Sequence, residues 1–157
     1  MHELVAAKAS LPQRGPNGFG ALHFACEYGH LPIVRLLLRS RAAPADRSDE
    51  GWTPLHRAAL DGHAGVVSAL LGANKDARTG ETLYPVNERD KQGDTALHDA
   101  CRNGHLAVVK ELVAAKCQLD APNQLGQTPL DVASKASRSD VVDFLSLIHI
   151  SEPTRPY

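Results

Sequence analysis

Apolar residues recur along this sequence in pairs of short runs with helical spacing. Residues 51–63 read GWTPLHRAALDGH, and the leucine and alanines of this stretch would share one face of a helix. Thr53 can cap that helix, because its hydroxyl can accept a hydrogen bond from a free backbone N–H, and the following proline suits the first helical position. Gly62 can end the helix, and a more apolar run follows at 66–71. The pattern predicts two short helices joined by a tight turn.

The same pattern occurs four times. Residues 18–30 read GFGALHFACEYGH, residues 93–105 read GDTALHDACRNGH, and residues 126–133 read GQTPLDVA. The four leucines of the motif are Leu22, Leu55, Leu97 and Leu130. They are separated by 33, 42 and 33 positions, which is one period with nine extra residues in the middle interval. Since one helix pair cannot bury its own apolar face, the copies are expected to stack side by side.

A period near 33 with this motif resembles that of the ankyrin repeats. The resemblance extends from the first residues to about Phe144. It implies an all-α ankyrin-repeat solenoid of stacked helix–turn–helix units with short turn fingers. We expect the first, inner helix of each repeat near residues 21–28, 54–61, 96–103 and 129–136. Leu97 is expected to be fully buried between the second and third repeats.

The repeat register predicts an ankyrin-repeat domain at 1–144. Its units are a partial repeat at 1–14, repeats at 15–47, 48–89 and 90–122, and a divergent or truncated repeat at 123–144. Residues 3–8 are identical to residues 111–116, so the chain opens inside the second helix of a repeat. We interpret Met1 as an internal methionine of a longer protein; a degenerate N-terminal cap is the alternative.

Two segments do not fit the period. The second repeat contains the nine-residue insertion, within residues 75–89, which is polar with one glycine and one proline. It is either a surface loop without a role or an extended finger with an apolar tip at 83–86.

The tail at 145–157 resembles a translated sequencing adapter, which indicates a fragment of a longer reading frame. We expect residues 146–157 to be extended, weakly packed and dispensable.

Composition narrows the function classes. The net charge is −1 and 22% of residues are charged, so no overall charge attracts nucleic acid or an anionic membrane. No apolar run approaches the ~18 residues of a membrane span. Three cysteines make no even disulfide framework, which favours the cytoplasm or the nucleus. We expect a monomer that binds neither nucleic acid nor membrane.

The histidines are interpreted as scaffold residues. Six of the eight form pairs seven positions apart, at a spacing set by the repeat. A glycine precedes the second member of each pair, so the two lie on different helices and are poorly placed to share a metal. The sequence has no phosphate-binding glycine loop and no nucleophile motif. We therefore predict no enzyme activity, no metal and no cofactor.

Protein binding is the function class that remains, and the resemblance to ankyrin repeats implies which residues would bind the partner. In ankyrin repeats, partners are held by the turn fingers and the exposed face of the inner helices. The matching residues here are Phe19, Glu27, Tyr28, Glu50, Trp52, Leu60, Asp61, Gln92, Asp94, Arg102 and Asn103. Aromatic residues are favoured interface anchors, although Trp52 could instead pack on the neighbouring turn.

Equivalent positions of stacked repeats should form rows. We expect Phe19, Trp52 and Asp94 in one row, and Tyr28, Asp61 and Asn103 in a second row beside it. The sequence therefore predicts a scaffold that binds a partner protein through its concave face. The alternative is a regulatory segment of a larger enzyme or channel that acts on its own chain.

Overall fold

The computed structural model describes residues 15–40, 42, 46–73, 75, 77–79 and 84–151. Those residues contain eight α-helices in four antiparallel pairs, which confirms the all-α fold. The helices are α1 (Ala21–Glu27), α2 (Leu31–Arg39), α3 (Pro54–Asp61), α4 (Ala64–Gly72), α5 (Ala96–Asn103), α6 (Leu106–Ala114), α7 (Pro129–Lys135) and α8 (Ser139–Ser151). Within this described part, no helix is long and apolar enough to cross a membrane. The predicted partial repeat at 1–14 lies outside it.

The inner helices begin and end as the sequence predicts. The Thr53 hydroxyl accepts a hydrogen bond from the backbone N–H of His56 at 3.3 Å, and Thr95 caps α5 in the same way. Gly62 ends α3 in the left-handed conformation that favours glycine. The observed inner helices agree with the expected ranges to within one residue.

The helices form two layers. Inner helices α1, α3, α5 and α7 pack against one another in sequence order, and the outer helices α2, α4, α6 and α8 pack behind them. Ala58, Ala59 and Ala100 are fully buried, and their small side chains allow neighbouring inner helices to approach closely. Leu97 is 1% exposed, as predicted. The core therefore runs continuously along the stack.

The described end of the insertion, residues 84–89, differs from both alternatives drawn from the sequence. Tyr84 and Val86, placed in its expected apolar tip, are buried in the core. The Asn87 side chain accepts a hydrogen bond from the backbone N–H of Gln118 at 2.7 Å. Residues 84–89 are thus neither a loose loop nor a projecting finger, because their apolar side chains fill space beside the helices. Leu83 of the expected tip lies outside the described residues.

The tail also departs from its prediction. Residues 146–151 continue α8 instead of being extended. Leu145 is buried and Ile148 packs against the core, whereas Leu147 is 62% exposed. The helix continues because apolar residues at helical spacing reach the open side of the stack. Residues 152–157 lie outside the described part.

Candidate functional site

The turn fingers, which precede the inner helices, are tied to one another by their backbones. Asp49 donates its N–H to the carbonyl of Asn17, and Lys91 donates to that of Glu50. Gln124 donates in turn to Gln92 at 3.0 Å. Each finger is therefore held at a fixed position relative to the next.

Side chains brace the fingers from within. The Asp90 Oδ1 atom accepts the backbone N–H groups of Gln92 and Asp94, both at 2.9 Å. Asn123 accepts the corresponding N–H groups of Leu125 and Gln127 in the next finger. Since the third and fourth fingers each carry such a brace, their exposed tips are presented on a rigid support.

The first histidine of each motif links its own helix to the next finger. His56 Nδ1 accepts the N–H of Thr53, so Nε2 carries the proton and donates to the carbonyl of Asp94 at 2.9 Å. His98 makes the same link to Gln127. Burial lowers the pKa of both imidazoles, which favours the neutral form that these bonds require.

An aromatic pair lies on the first two fingers. The rings of Phe19 and Trp52 are stacked, with centroids 5.9 Å apart. The Arg57 guanidinium lies 5.0 Å from the Trp52 ring centroid and 5.5 Å from that of Phe19. Trp52 also donates its Nε1–H to Asp90 Oδ2 at 2.9 Å. Trp52 thus packs on the neighbouring finger while one part of its side chain stays accessible.

Acidic side chains lie beyond this aromatic pair. Arg102 donates to Asp94 at 3.0 Å and to Asp99 at 3.2 Å. Asn123 Nδ2 donates to the other oxygen of Asp94 at 3.0 Å. Burial, followed by the charges of Asp94 and Asp90, raises the pKa of Asp99 well above its usual range.

These groups line one open cleft, which we call the finger cleft. Its volume is about 450 Å³, and repeats two, three and four all contribute to it. Its lining residues are Trp52, His56, Arg57, Leu60, Asp90, Gln92, Asp94, Asp99, Arg102, Asn123, Gln124 and Leu125. A cleft built from three successive repeats can contact an extended ligand at several points.

A family model for ankyrin repeats in three copies matches residues 1–80 and again residues 80–154. The chain belongs to the ankyrin-repeat family. No curated protein matches it. Ankyrin repeats are generally protein–protein interaction modules, and their fold is typically a non-enzymatic scaffold.

Five of the residues that the sequence predicted for the binding surface line the cleft. They are Trp52, Leu60, Gln92, Asp94 and Arg102. Asp94 is only 6% exposed, so its carboxylate forms part of the cleft wall rather than a solvated rim.

The other predicted residues do not line the cleft. Glu27 pairs with Arg57 across the first two repeats. Asn103 donates its side-chain N–H to the carbonyl of Leu60 at 2.8 Å, so it also joins two repeats. The remaining ones are Phe19, described above, and the exposed residues Tyr28, Glu50 and Asp61.

Leu125 is the most informative lining residue that the sequence analysis missed. It is 81% exposed at the tip of the fourth finger. It precedes the finger glycine, as Glu50 and Gln92 do in their repeats. Leu125 could therefore have been predicted as a finger-tip residue from the repeat register alone.

One cluster among the described residues has the spacing of a metal site. His56, Asp90 and Asp99 place ligand atoms within 4.8 Å of one another. However, both nitrogens of His56 are bonded within the fold, and Asp90 already accepts three N–H groups. The three cysteines are buried, which raises each thiol pKa to about 12 and disfavours the nucleophilic thiolate.

Proposed function

We propose that this chain binds a partner protein through the concave face of its ankyrin repeats, centred on the finger cleft. The observation that carries this proposal is the cleft itself, which combines apolar and charged side chains from three repeats. Leu125 is a large apolar side chain exposed at the cleft. Tyr28, which belongs to the second of the expected rows, is also exposed. Exposed apolar groups rimmed by polar residues are typical of protein interaction sites.

The rigidity of the face supports this function. Backbone bonds between fingers and the His56 and His98 links hold the cleft in one shape before any partner arrives. A surface that is already ordered loses little conformational freedom on binding. The fold therefore favours recognition of an extended segment by a preformed groove.

Display selection of random peptides on the purified chain tests the proposal. Titration calorimetry then compares wild type with Leu125→Ala, which removes an exposed side chain without disturbing the core. We expect Leu125→Ala to weaken the selected peptides at least ~10-fold, as for an interface anchor. Trp52→Ala should cost ~2 kcal/mol or more in binding, part of it through the lost bond to Asp90.

Arg35→Ala is the matched control, because Arg35 is exposed on the outer helix α2. It should change binding by less than ~0.5 kcal/mol. Peptides that depend on Arg35 and ignore Leu125 would place the binding surface on the convex side and overturn the proposal. The proposal is also overturned if the wild-type chain selects no peptide above background.

A further inference from the structure

More acidic than basic side chains line the finger cleft. Asp90, Asp94 and Asp99 all line it. Within the part of the chain that the structure describes, Arg102 is the cation that contacts these carboxylates. The other arginine of the cleft, Arg57, pairs with Glu27 of the first repeat. Asp94 and Asp99 therefore share one guanidinium, whereas Asp90 accepts N–H groups of the fold.

Asp99 has acceptor capacity that the fold does not use. Its side chain is 8% exposed and lines the cleft. Oδ1 accepts a hydrogen bond from Arg102, whereas no described residue donates to Oδ2. Buried carboxylates are normally satisfied by several donors, and a buried charge is costly without them. The side chain of Asp99 is thus largely buried in the cleft wall, and its Oδ2 atom has no donor among the described residues.

The surroundings favour a side-chain cation over a free metal ion. His56 has no lone pair to offer, and Asp90 is largely occupied by N–H donors. A metal would therefore find too few free ligand atoms. A basic side chain brings its own N–H donors, and its methylene groups suit the apolar surfaces of Leu60 and Leu125.

We propose that the partner inserts a lysine or arginine side chain into the finger cleft, with its cationic group against Asp99 and its methylene groups against Leu60 and Leu125. This inference rests on the concave-face binding proposed above and specifies its chemistry. The acidic wall supplies charge complementarity, which gives specificity for a basic partner segment. The volume of about 450 Å³ leaves room for part of the partner's main chain beside that side chain.

Peptides from the display selection provide the test. We expect those selected on wild type to carry lysine or arginine at one fixed position. Replacing that residue by norleucine, which keeps an apolar stem but has no charge, should weaken binding to wild type at least ~30-fold. On Asp99→Asn the same replacement should cost less than ~3-fold, because the cation then has lost its main partner.

Asp61→Asn is the charge-matched control, since Asp61 is exposed on the inner face outside the cleft. It should retain the full norleucine effect. Circular dichroism establishes that each variant is folded. Selected peptides that depend on Leu125 but carry no fixed basic residue would overturn this inference and leave the proposed function standing. An equal norleucine effect on wild type and Asp99→Asn would also overturn this inference and leave the proposed function standing. Peptides indifferent to Leu125 would overturn both this inference and the proposed function.

Discussion

At the scale of single residues, the motif histidines act as connectors with two ends. One ring nitrogen of His56 closes the cap of its own helix, and the other reaches the next finger. In the fourth repeat, Asp131 keeps the first contact by accepting the N–H of Thr128 at 3.1 Å. A carboxylate cannot donate to a carbonyl, so the second contact is lost there. Asp131 thus preserves the helix cap but has no donor for a link of the kind that His56 and His98 make.

Asp99 gives a pH-dependent prediction. Its folded pKa is raised well above the ordinary value of an aspartate, mainly by burial. The stability linked to its proton is fully present below about pH 3.9 and is lost as pH rises through the raised pKa. Asp99→Asn cannot titrate, so its unfolding free energy relative to wild type should increase between pH 4 and pH 7. Urea unfolding measures the difference at each pH.

The exposed Asp61 again supplies the comparison. Asp61→Asn should change stability relative to wild type by a nearly constant amount over the same pH range. If the difference in unfolding free energy between Asp99→Asn and wild type were equally constant over this pH range, the Asp99 carboxyl would be titrating as an ordinary solvated group.

At the scale of elements, the fingers share one backbone conformation but not the same neighbours. Gly93 and Gly126 both have positive φ, at 79° and 74°. A Cβ on Gly93 would lie 2.8 Å from the backbone nitrogen of Gln124. A Cβ on Gly126 would meet nothing within 4 Å among the described residues. The two positions therefore separate backbone strain from contact with the next finger.

Alanine at these two glycines should have unequal effects. Gly126→Ala should cost ~1–2 kcal/mol in the free energy of unfolding, from the left-handed conformation alone. Gly93→Ala should cost more, since its Cβ also collides with the backbone of the fourth finger. Denaturant unfolding of the two variants gives the comparison. Equal losses would show that the fourth finger moves aside without penalty.

At the scale of the whole molecule, stability comes from contacts between neighbouring repeats. Inner helices contact the preceding and following inner helices, and the outer helices do likewise. Such a stack has no central core that all elements share, so each interface contributes separately. Leu97, on α5, is almost fully buried within this stack.

Leu97→Ala should therefore cost ~2–5 kcal/mol in the free energy of unfolding, as large-to-small changes in a packed core do. Leu125→Ala, at an exposed leucine, should change it by less than ~0.5 kcal/mol. Chemical denaturation followed by circular dichroism measures both. A loss under ~1 kcal/mol at Leu97 would argue against tight stacking at that position.

The sequence by itself determined the ankyrin fold, the inner helices and the burial of Leu97. The ends of the inner helices depend on local interactions that lie within one repeat. Thr53 caps a helix whose first residue is Pro54, and Gly62 ends that helix. Repetition at a fixed period then indicated stacking, because one pair of helices leaves its apolar face uncovered.

Only the tertiary structure decided which polar residues face solvent and which face another repeat. Glu27 and Asp94 occupy positions that the register assigned to the binding surface, yet they pair with Arg57 and Arg102. Tyr84 looked like a loop residue and is buried. Asp99, Tyr84 and the continuation of α8 depend on neighbours distant in sequence. Register places backbones side by side, whereas the direction and partner of each side chain follow from packing in three dimensions.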